Sequence, residues 1–308
     1  MKKGLVYRST GSWYTVKAEG VFYTCRIKGK FRLRGIKSTN PVAVGDHVIF
    51  EVDNQTKTSK GTIVEIEQRQ NYIVRKSVNL SKQTHIIASN IDQLFLLVTL
   101  NNPPTFVAFI DRFLVTAEAY QIPSILVFNK LDTYTSEQKK EIDDLAAIYK
   151  KIGYRTLKIS ATEGHNINEI ESIMKNKVSV FSGHSGVGKS TLINYLAPDL
   201  NLKTASISDQ HQQGKHTTTF AEMFDLPNGM KLIDTPGIKG FGIVNMKAEE
   251  VGNYFPEFKK LKPICKFHNC LHQSEPGCAV ISAFDAGEVS ETRYKNYLQI
   301  LKNDTTYR

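Results

Sequence analysis

Residues 183–191 read GHSGVGKST and match the pattern G-x-x-x-x-G-K-[ST]. The pattern lies between an apolar strand-like run, VSVFSG, and a helix-like one, the context that gives it meaning. Gly183, Gly186 and Gly188 let backbone N–H groups turn toward phosphate oxygens without a Cβ clash. Lys189 can reach β and γ phosphates, and Ser190 can ligate Mg²⁺. His184, Ser185, Val187 and Thr191 complete the stretch expected to wrap the phosphates. Farther along, MKLIDTPG at 230–237 reads as a strand ending in Asp-x-x-Gly. Asp234 can hold Mg²⁺ through water, and Gly237 can offer its N–H to a γ-phosphate and move when that phosphate leaves. Between them lies the threonine run 217–219. One of its hydroxyls, taken as Thr218, can complete the Mg²⁺ shell in a triphosphate state. A base is addressed by SILVFNKLD, where Asn129, Lys130, Leu131 and Asp132 follow an apolar strand. A carboxylate at Asp132 accepts from the N1–H and exocyclic amine of guanine. Adenine presents the opposite pattern and leaves the carboxylate unpaired. Lys130 would pack over the ring plane. In KISATEG at 158–164, Ser160 and Ala161 would offer backbone N–H groups to the guanine oxygen.

A second constellation lies near the end. Cys265, Cys270 and Cys278 fall within fourteen residues, with His268 and His272 among them. Three thiolates and one imidazole make a closed tetrahedral set of the kind that binds structural zinc. The segment is too short to bury a core, so metal would hold its fold. Cys25 stands alone in a strand-like run and reads as a buried structural residue.

The elements that must carry these residues divide the 308-residue chain into three parts. Residues 1–75 hold five short β-branched and aromatic runs separated by glycine-containing turns. That pattern predicts a small closed barrel of the OB type, and an SH3-like barrel would give nearly the same one. Between the third and fourth runs lies KGKFRLRGIKSTN. Its Lys28, Lys30, Arg32, Arg34 and Lys37 can grip phosphates, and Phe31 can stack on a base. Residues 76–245 alternate strand and helix patterns, as in a parallel sheet covered by helices. Thr135 and Gln138 have capping-box spacing before a long polar helix ending near Lys151. Residues 246–308 open on a short Pro-punctuated helical stretch. The cysteines follow, and then a helix from about Ser290 to Leu301.

Charge follows the same division. The net charge is +10, and residues 1–75 hold 14 Lys/Arg against 6 Asp/Glu. A basic module on two near-neutral ones points to a polyanionic partner, most often nucleic acid. With 41% hydrophobic and 23% charged residues, wholesale disorder is excluded. No window has the uninterrupted apolar length of a membrane span. The first residues lack the apolar run of a signal peptide. Four cysteines, three of them bunched, suit a metal site in a reducing compartment better than a disulfide framework.

The order of the motifs is the most informative feature. In ordinary GTPases the phosphate loop comes first and the guanine motifs last. Here NKLD and SAT precede GHSGVGKST, GKHTTT and DTPG. The chain therefore resembles circularly permuted GTPases. With the basic barrel and the cysteine pattern, it resembles the RsgA family (YjeQ/YloQ) over essentially its whole length. The resemblance implies an N-terminal OB-type β-barrel, a circularly permuted α/β P-loop GTPase domain and a C-terminal α-helical zinc-binding domain. It implies a cytoplasmic, monomeric GTP hydrolase acting in late maturation of the small ribosomal (30S) subunit, with rRNA contacts and ribosome-stimulated hydrolysis. It implies one structural Zn²⁺ on Cys265, Cys270, His272 and Cys278, and Mg²⁺ with the GTP or GDP. Many GTPases place a water-orienting glutamine right after Asp-x-x-Gly. Ile238 stands there, so another group must orient the water. His216, just before the threonine run, is the best candidate within the chain, and the resemblance points to it as well. Two other functions compete: a zinc-containing RNA-binding protein with a non-catalytic guanine-nucleotide switch, and a signalling or membrane-linked GTPase. Intact Lys189, Ser190 and Asp234 weigh against the first. The absence of a lipidation motif or hydrophobic anchor, together with the basic barrel, weighs against the second.

Overall fold

The computed structural model describes residues 1–28, 41–53, 59–76, 84–200, 221–234 and 246–304. The chain begins with β1 (Lys2–Ser9), β2 (Tyr14–Ala18), β3 (Val21–Ile27), β4 (His47–Val52) and β5 (Lys60–Ile66). Period-two alternation sets their inner face. Tyr14, Val16 and Ala18 of β2 are buried, whereas Thr15 and Lys17 are half-exposed. The strands run β1-β2-β3-β5-β4, and β4 returns to pair with β1. β3 and β5 pair in parallel. A simple meander would have paired β3 with β4. The crossing makes a closed Greek-key barrel, the OB arrangement left open by the sequence pattern. Its core includes Val6, Tyr14, Val16, Cys25, Phe50 and Ile63. Burial pushes the Cys25 thiol up to about 12, as expected for an inert structural cysteine.

The barrel leads into a hairpin, β6 (Tyr72–Lys76) and β7 (Thr84–Ser89). β6 crosses residue 75, where the charge balance changes. Asp46 fastens hairpin to barrel. Its fully buried carboxylate accepts from Arg69 Nε at 2.6 Å, Ser89 Oγ at 2.6 Å and the Ala43 N–H at 2.8 Å. Neighbouring Gly45 has φ +91°, and a Cβ there would lie 2.0 Å from the Ser89 carbonyl oxygen. Only glycine fits this turn.

The central sheet contains β8 (Gln93–Val98), β9 (Ser124–Phe128), β10 (Arg155–Lys158), β11 (Val178–Ser182), β12 (Glu222–Asp225) and β13 (Lys231–Asp234). Their order is β10-β9-β8-β11-β13-β12. All pairings are parallel except β12 with β13. β8 is buried along its whole length, as a strand covered on both faces must be. Helices α1 (Val107–Ala119) and α2 (Ser136–Lys151) bury Phe113, Leu114, Ile142 and Tyr149 in one core. Helices α3 (Ile167–Met174) and α4 (Lys189–Leu196) bury Ile170, Met174, Leu192 and Leu196 in a second. Because β9, β10, β11 and β13 run parallel, their carboxyl ends share one edge of the sheet. That edge is where open α/β sheets bind ligands.

β12 also pairs with β1 through Arg8 and Glu222, so barrel and central sheet form one eleven-stranded sheet. Tyr7 donates its hydroxyl to Asp225 Oδ1 at 2.6 Å, and Lys17 pairs with the same carboxylate.

The last part contains α5 (Ala248–Val251), α6 (Pro256–Leu261), α7 (Ala279–Asp285) and α8 (Glu291–Asp304). Phe255, Phe258, Val280, Tyr297 and Ile300 pack together with Val115 of α1. A buried ion network crosses this contact. Arg293 Nη1 donates to Asp111 Oδ1 at 2.7 Å, and Arg293 Nε donates to Glu257 Oε1 at 2.8 Å. Asn296 and Tyr149 also donate to Asp111, at 2.6 and 2.8 Å.

Candidate functional site

Four loops meet at the carboxyl edge of the sheet. β11 ends at Ser182 and runs into the phosphate-type loop. Gly183, Gly186 and Gly188 have φ of 141°, 84° and 96°, in the region that favours glycine. A Cβ on Gly183 would lie 2.6 Å from the Leu97 carbonyl oxygen, and one on Gly188 only 2.3 Å from Asn129 Nδ2. The loop therefore needs glycine for space as well as for torsion. Gly188 caps α4, whose first residues are Lys189, Ser190 and Thr191. Lys189 Nζ donates to the carbonyl oxygens of Gly183 and His184, both at 2.7 Å. The ammonium is thus held over the loop, and the positive end of α4 points at the same place. Ser185 and Gly186 are exposed and Val187 is buried. Asp234 is the last residue of β13, one position beyond the Val180–Ile233 pairing.

β9 delivers the second loop. Asn129, almost fully buried, donates Nδ2–H to the Val187 carbonyl oxygen at 2.8 Å and accepts from the Ala161 N–H at 3.0 Å. One side chain thus ties the phosphate-type loop to the loop after β10. Lys130 adopts φ 68° and donates from Nζ to the Asn102 carbonyl oxygen at 2.6 Å. Leu131 and Asp132 open a single 3-10 turn. Ser160 donates its hydroxyl to Asp132 Oδ1 at 2.6 Å and accepts from the Glu163 N–H at 3.1 Å. The Ser160 hydroxyl therefore fixes the orientation of the Asp132 carboxylate. A planar partner with two adjacent donors matches its remaining acceptor capacity.

The connection between β8 and α1, together with the first turn of α1, forms a wall that sequence reasoning missed. Asn102 takes the Lys130 ammonium, Pro103 lies against Gly186, and Phe109 stacks on His184 with ring centroids 4.1 Å apart. Burial first, then the Lys189 charge, holds the His184 imidazole below its ordinary range. Nothing in the local pattern of these residues signals such contacts across the chain.

The cysteine cluster is a separate site. Ligand atoms of Cys265, Cys270, His272 and Cys278 all lie within 4.8 Å of one another. His272 Nδ1 is 3.3 Å from Cys278 Sγ and 3.7 Å from Cys265 Sγ. Tetrahedral zinc with N and S ligands spaces its donors by about 3.3–3.8 Å. His272 is buried and His268 is exposed, so the imidazole in the cluster is that of His272. Its Nε2 packs against Gly252 with no hydrogen-bond partner among the described residues, which leaves Nδ1 facing the thiols. Burial pushes the Cys270 thiol up to about 12, so a cation is what would make it a thiolate. α8 braces the loop: Tyr294 donates to the His272 carbonyl oxygen at 2.8 Å and Tyr297 to that of Leu271 at 2.6 Å.

Of the expected site residues, Gly237, Thr218, His216, Lys30, Arg32, Arg34 and Lys37 lie outside the described residues. Lys28 is exposed at the end of β3.

A parallel sheet that reaches its guanine-type loops before its phosphate loop, joined to a basic OB barrel, defines a circularly permuted P-loop GTPase. Residues 66–244 match the family model described as RsgA GTPase, and residues 3–63 that of the RsgA N-terminal domain. The small ribosomal subunit biogenesis GTPase RsgA of Flavobacterium psychrophilum is 62% identical over 307 residues, covering 99% of this chain and 94% of its own. Its counterpart in Christiangramia forsetii is 61% identical, covering 98% and 96%. The crystal structure of YjeQ from Thermotoga maritima superposes with a TM-score of 0.81 at 32% identity, covering 100% of this chain and 99% of that one. YloQ, a circularly permuted GTPase, superposes at 0.78 with 28% identity, covering 100% and 96%. The chain belongs to the RsgA GTPase family, and its enzyme class is that of a GTP hydrolase.

Proposed function

We propose that this protein hydrolyses GTP while bound to the small ribosomal subunit and acts in the late assembly of that subunit. The observation that carries the nucleotide half is Asn129, which ties the phosphate-type loop to the guanine-type loop so that one ligand meets both. Residues 183–191 then wrap the phosphates. Asp132 reads guanine beside Lys130 and Leu131, and Ala161 with Ser160 closes the base pocket. Asp234 and Gly237 follow the γ-phosphate. Ser190 and Thr218 are the ligands for Mg²⁺, which would neutralise charge between the β and γ phosphates. His216 orients the attacking water.

The assembly half rests on the names borne by relatives of near-equal length and on charge. Residues 1–75 form an rRNA-binding barrel, with Lys28, Lys30, Arg32, Arg34 and Lys37 against phosphates. Residues 76–245 form the GTPase domain and residues 246–308 the zinc domain, where one structural Zn²⁺ sits on Cys265, Cys270, His272 and Cys278. The protein works as a cytoplasmic monomer. Among the described residues no helix is long and apolar enough to cross a membrane.

Hydrolysis of GTP and of ATP, each measured with and without purified small subunits, tests the reading. GTP turnover that is slow alone and much faster with small subunits is expected, with no comparable ATP turnover. Equal turnover of both nucleotides, or no response to subunits, would overturn it.

A further inference from the structure

Asn129 joins the guanine-type loop to the phosphate-type loop through two hydrogen bonds. A second connection joins the same two loops by another route. It is the turn 99–105 between β8 and α1, which lies outside the nucleotide motifs. The turn is closed on itself. Thr99 is 1% exposed, so each of its polar groups needs a partner. Its hydroxyl donates to the Pro103 carbonyl oxygen at 2.6 Å, and its N–H donates to Thr105 Oγ1 at 3.2 Å. Its carbonyl oxygen accepts from the Thr105 N–H at 2.9 Å. Pro103 and Pro104 fix φ at two positions between them. With its ends clasped and two torsions set, the turn is a stiff body.

That body meets each loop at two points. On the guanine side, Leu100 donates its N–H to the Tyr134 hydroxyl at 3.0 Å, and the Asn102 carbonyl oxygen accepts from Lys130 Nζ at 2.6 Å. Tyr134 is buried and follows the 3-10 turn that contains Asp132. On the phosphate side, Pro103 lies so near Gly186 that a Cβ there would be 3.3 Å from its Cδ. Phe109, in the first turn of α1, stacks on His184 with ring centroids 4.1 Å apart and planes 35° apart. A lysine ammonium on its four-carbon stem is mobile unless something holds it. A glycine-rich loop has few side chains with which to pack. Both are held here against one stiff partner.

We propose that the turn 99–105 braces the guanine-nucleotide site, and that Tyr134 and Phe109 are positioning residues that slow nucleotide release. Tyr134 acts through Lys130, by fixing the turn that holds its ammonium. Phe109 acts through His184, by holding the phosphate-type loop. The proposal rests on the reading of the site as guanine-nucleotide-binding and adds to it residues that touch no nucleotide.

The test follows release of GDP labelled with a fluorophore on its ribose, chased by unlabelled GDP, from the full-length chain. Folding of each variant is checked by circular dichroism. Tyr134→Phe removes one hydroxyl and should speed release about three- to ten-fold, the worth of one hydrogen bond between uncharged groups. Lys130→Met keeps the stem and removes the ammonium. On that background Tyr134→Phe should add little, because the two changes share one route. Preference for GDP over inosine diphosphate, which lacks the amine read by Asp132, should survive in Tyr134→Phe. Phe109→Leu keeps apolar bulk and loses the ring, so it should also speed release, and Phe109→Tyr should restore it. On a His184→Ala background Phe109→Leu should add little. Unchanged release in either Tyr134→Phe or Phe109→Leu would overturn the brace. Additive effects of Tyr134→Phe and Lys130→Met would overturn it too, since Tyr134 would then act by another route. Loss of the preference for GDP over inosine diphosphate would place the effect at Asp132 and overturn it likewise. If the wild-type chain does not prefer GDP to ADP, the guanine-nucleotide reading itself falls, and the brace with it.

Discussion

At Asp132 the proposed guanine contact depends on one carboxylate oxygen held by Ser160 at 2.6 Å and on the acceptor capacity that remains. Asp132→Asn replaces an acceptor with a donor. Affinity for GTP should fall by orders of magnitude and affinity for xanthosine triphosphate should rise, since xanthine presents an acceptor where guanine has its amine. Equilibrium binding of the two nucleotides to the variant checks this, and unchanged GTP affinity would remove the base pocket. A second residue-scale expectation concerns His216. Position 238 is isoleucine, which cannot hydrogen-bond the attacking water. His216→Ala should therefore remove most of the acceleration by small subunits while GTP affinity is retained, the signature of an interaction made in the transition state. Single-turnover hydrolysis with saturating subunits reads it. Full acceleration in the variant would move the water-orienting role to another group.

Between elements, the most demanding contact joins α1 to α8 and α6. Arg293 is 1% exposed and faces the fully buried Asp111 on one side and Glu257 on the other. Burial is the largest influence on Asp111 and lifts its carboxyl, while Arg293, Asn296 and Tyr149 all act to lower it. Arg293→Ala leaves two carboxylates without their cation. It should cost about 3–5 kcal/mol, read as a lower midpoint in urea, whereas removing all three charges together should cost much less. None of this was legible in the sequence, because Asp111 and Arg293 are 182 residues apart and each looks like an ordinary helix-surface charge. Local signals were legible where one stretch carried the whole cause. The Thr135–Gln138 pair reads as a helix start, and α2 begins there with both capping bonds made. The cysteine spacing marked the Cys–His cluster, but choosing between His268 and His272 on spacing alone was not possible. The hairpin β6–β7 went unread because residues 77–83 between its strands contain no glycine or proline to mark a turn. β12 escaped for another reason: its four residues, Glu222–Asp225, are too few to show a period and owe their place to β1 and β13. Metal should matter at this scale too. Chelation should unfold the loop braced by Tyr294 and Tyr297 and lower the thermal midpoint, yet leave GTP affinity nearly unchanged, because the ligands lie outside the nucleotide loops. Parallel loss of GTP affinity would mean that α1 carries the disturbance inward through Val115 and Asp111.

Across the whole molecule, the permutation has a mechanical consequence. β12 is bonded on one side to the barrel and on the other to β13, which ends at Asp234. The barrel is thus one strand away from Asp234, for which we propose contact with the γ-phosphate, and Tyr7 and Lys17 fasten the joint at Asp225. Charge is distributed to match. The barrel carries nearly all of the excess: residues 76–245 have 17 Lys/Arg against 16 Asp/Glu, and residues 246–308 have 9 against 8. Attraction to a polyanion should therefore act on one end of the molecule and orient it. Counterion release gives this a measurable form, since each phosphate neutralised contributes roughly 0.7–0.9 to the slope of log affinity against log salt. Replacing Lys28, Arg32 and Arg34 together by alanine should lower affinity for the small subunit and flatten that slope by roughly 2–3. Sedimentation with purified subunits over a range of salt concentrations reads both quantities in the same experiment. A weaker complex with an unchanged slope would mean that these residues act through the barrel's fold, whereas an unchanged affinity and slope would remove Lys28, Arg32 and Arg34 from the contact surface.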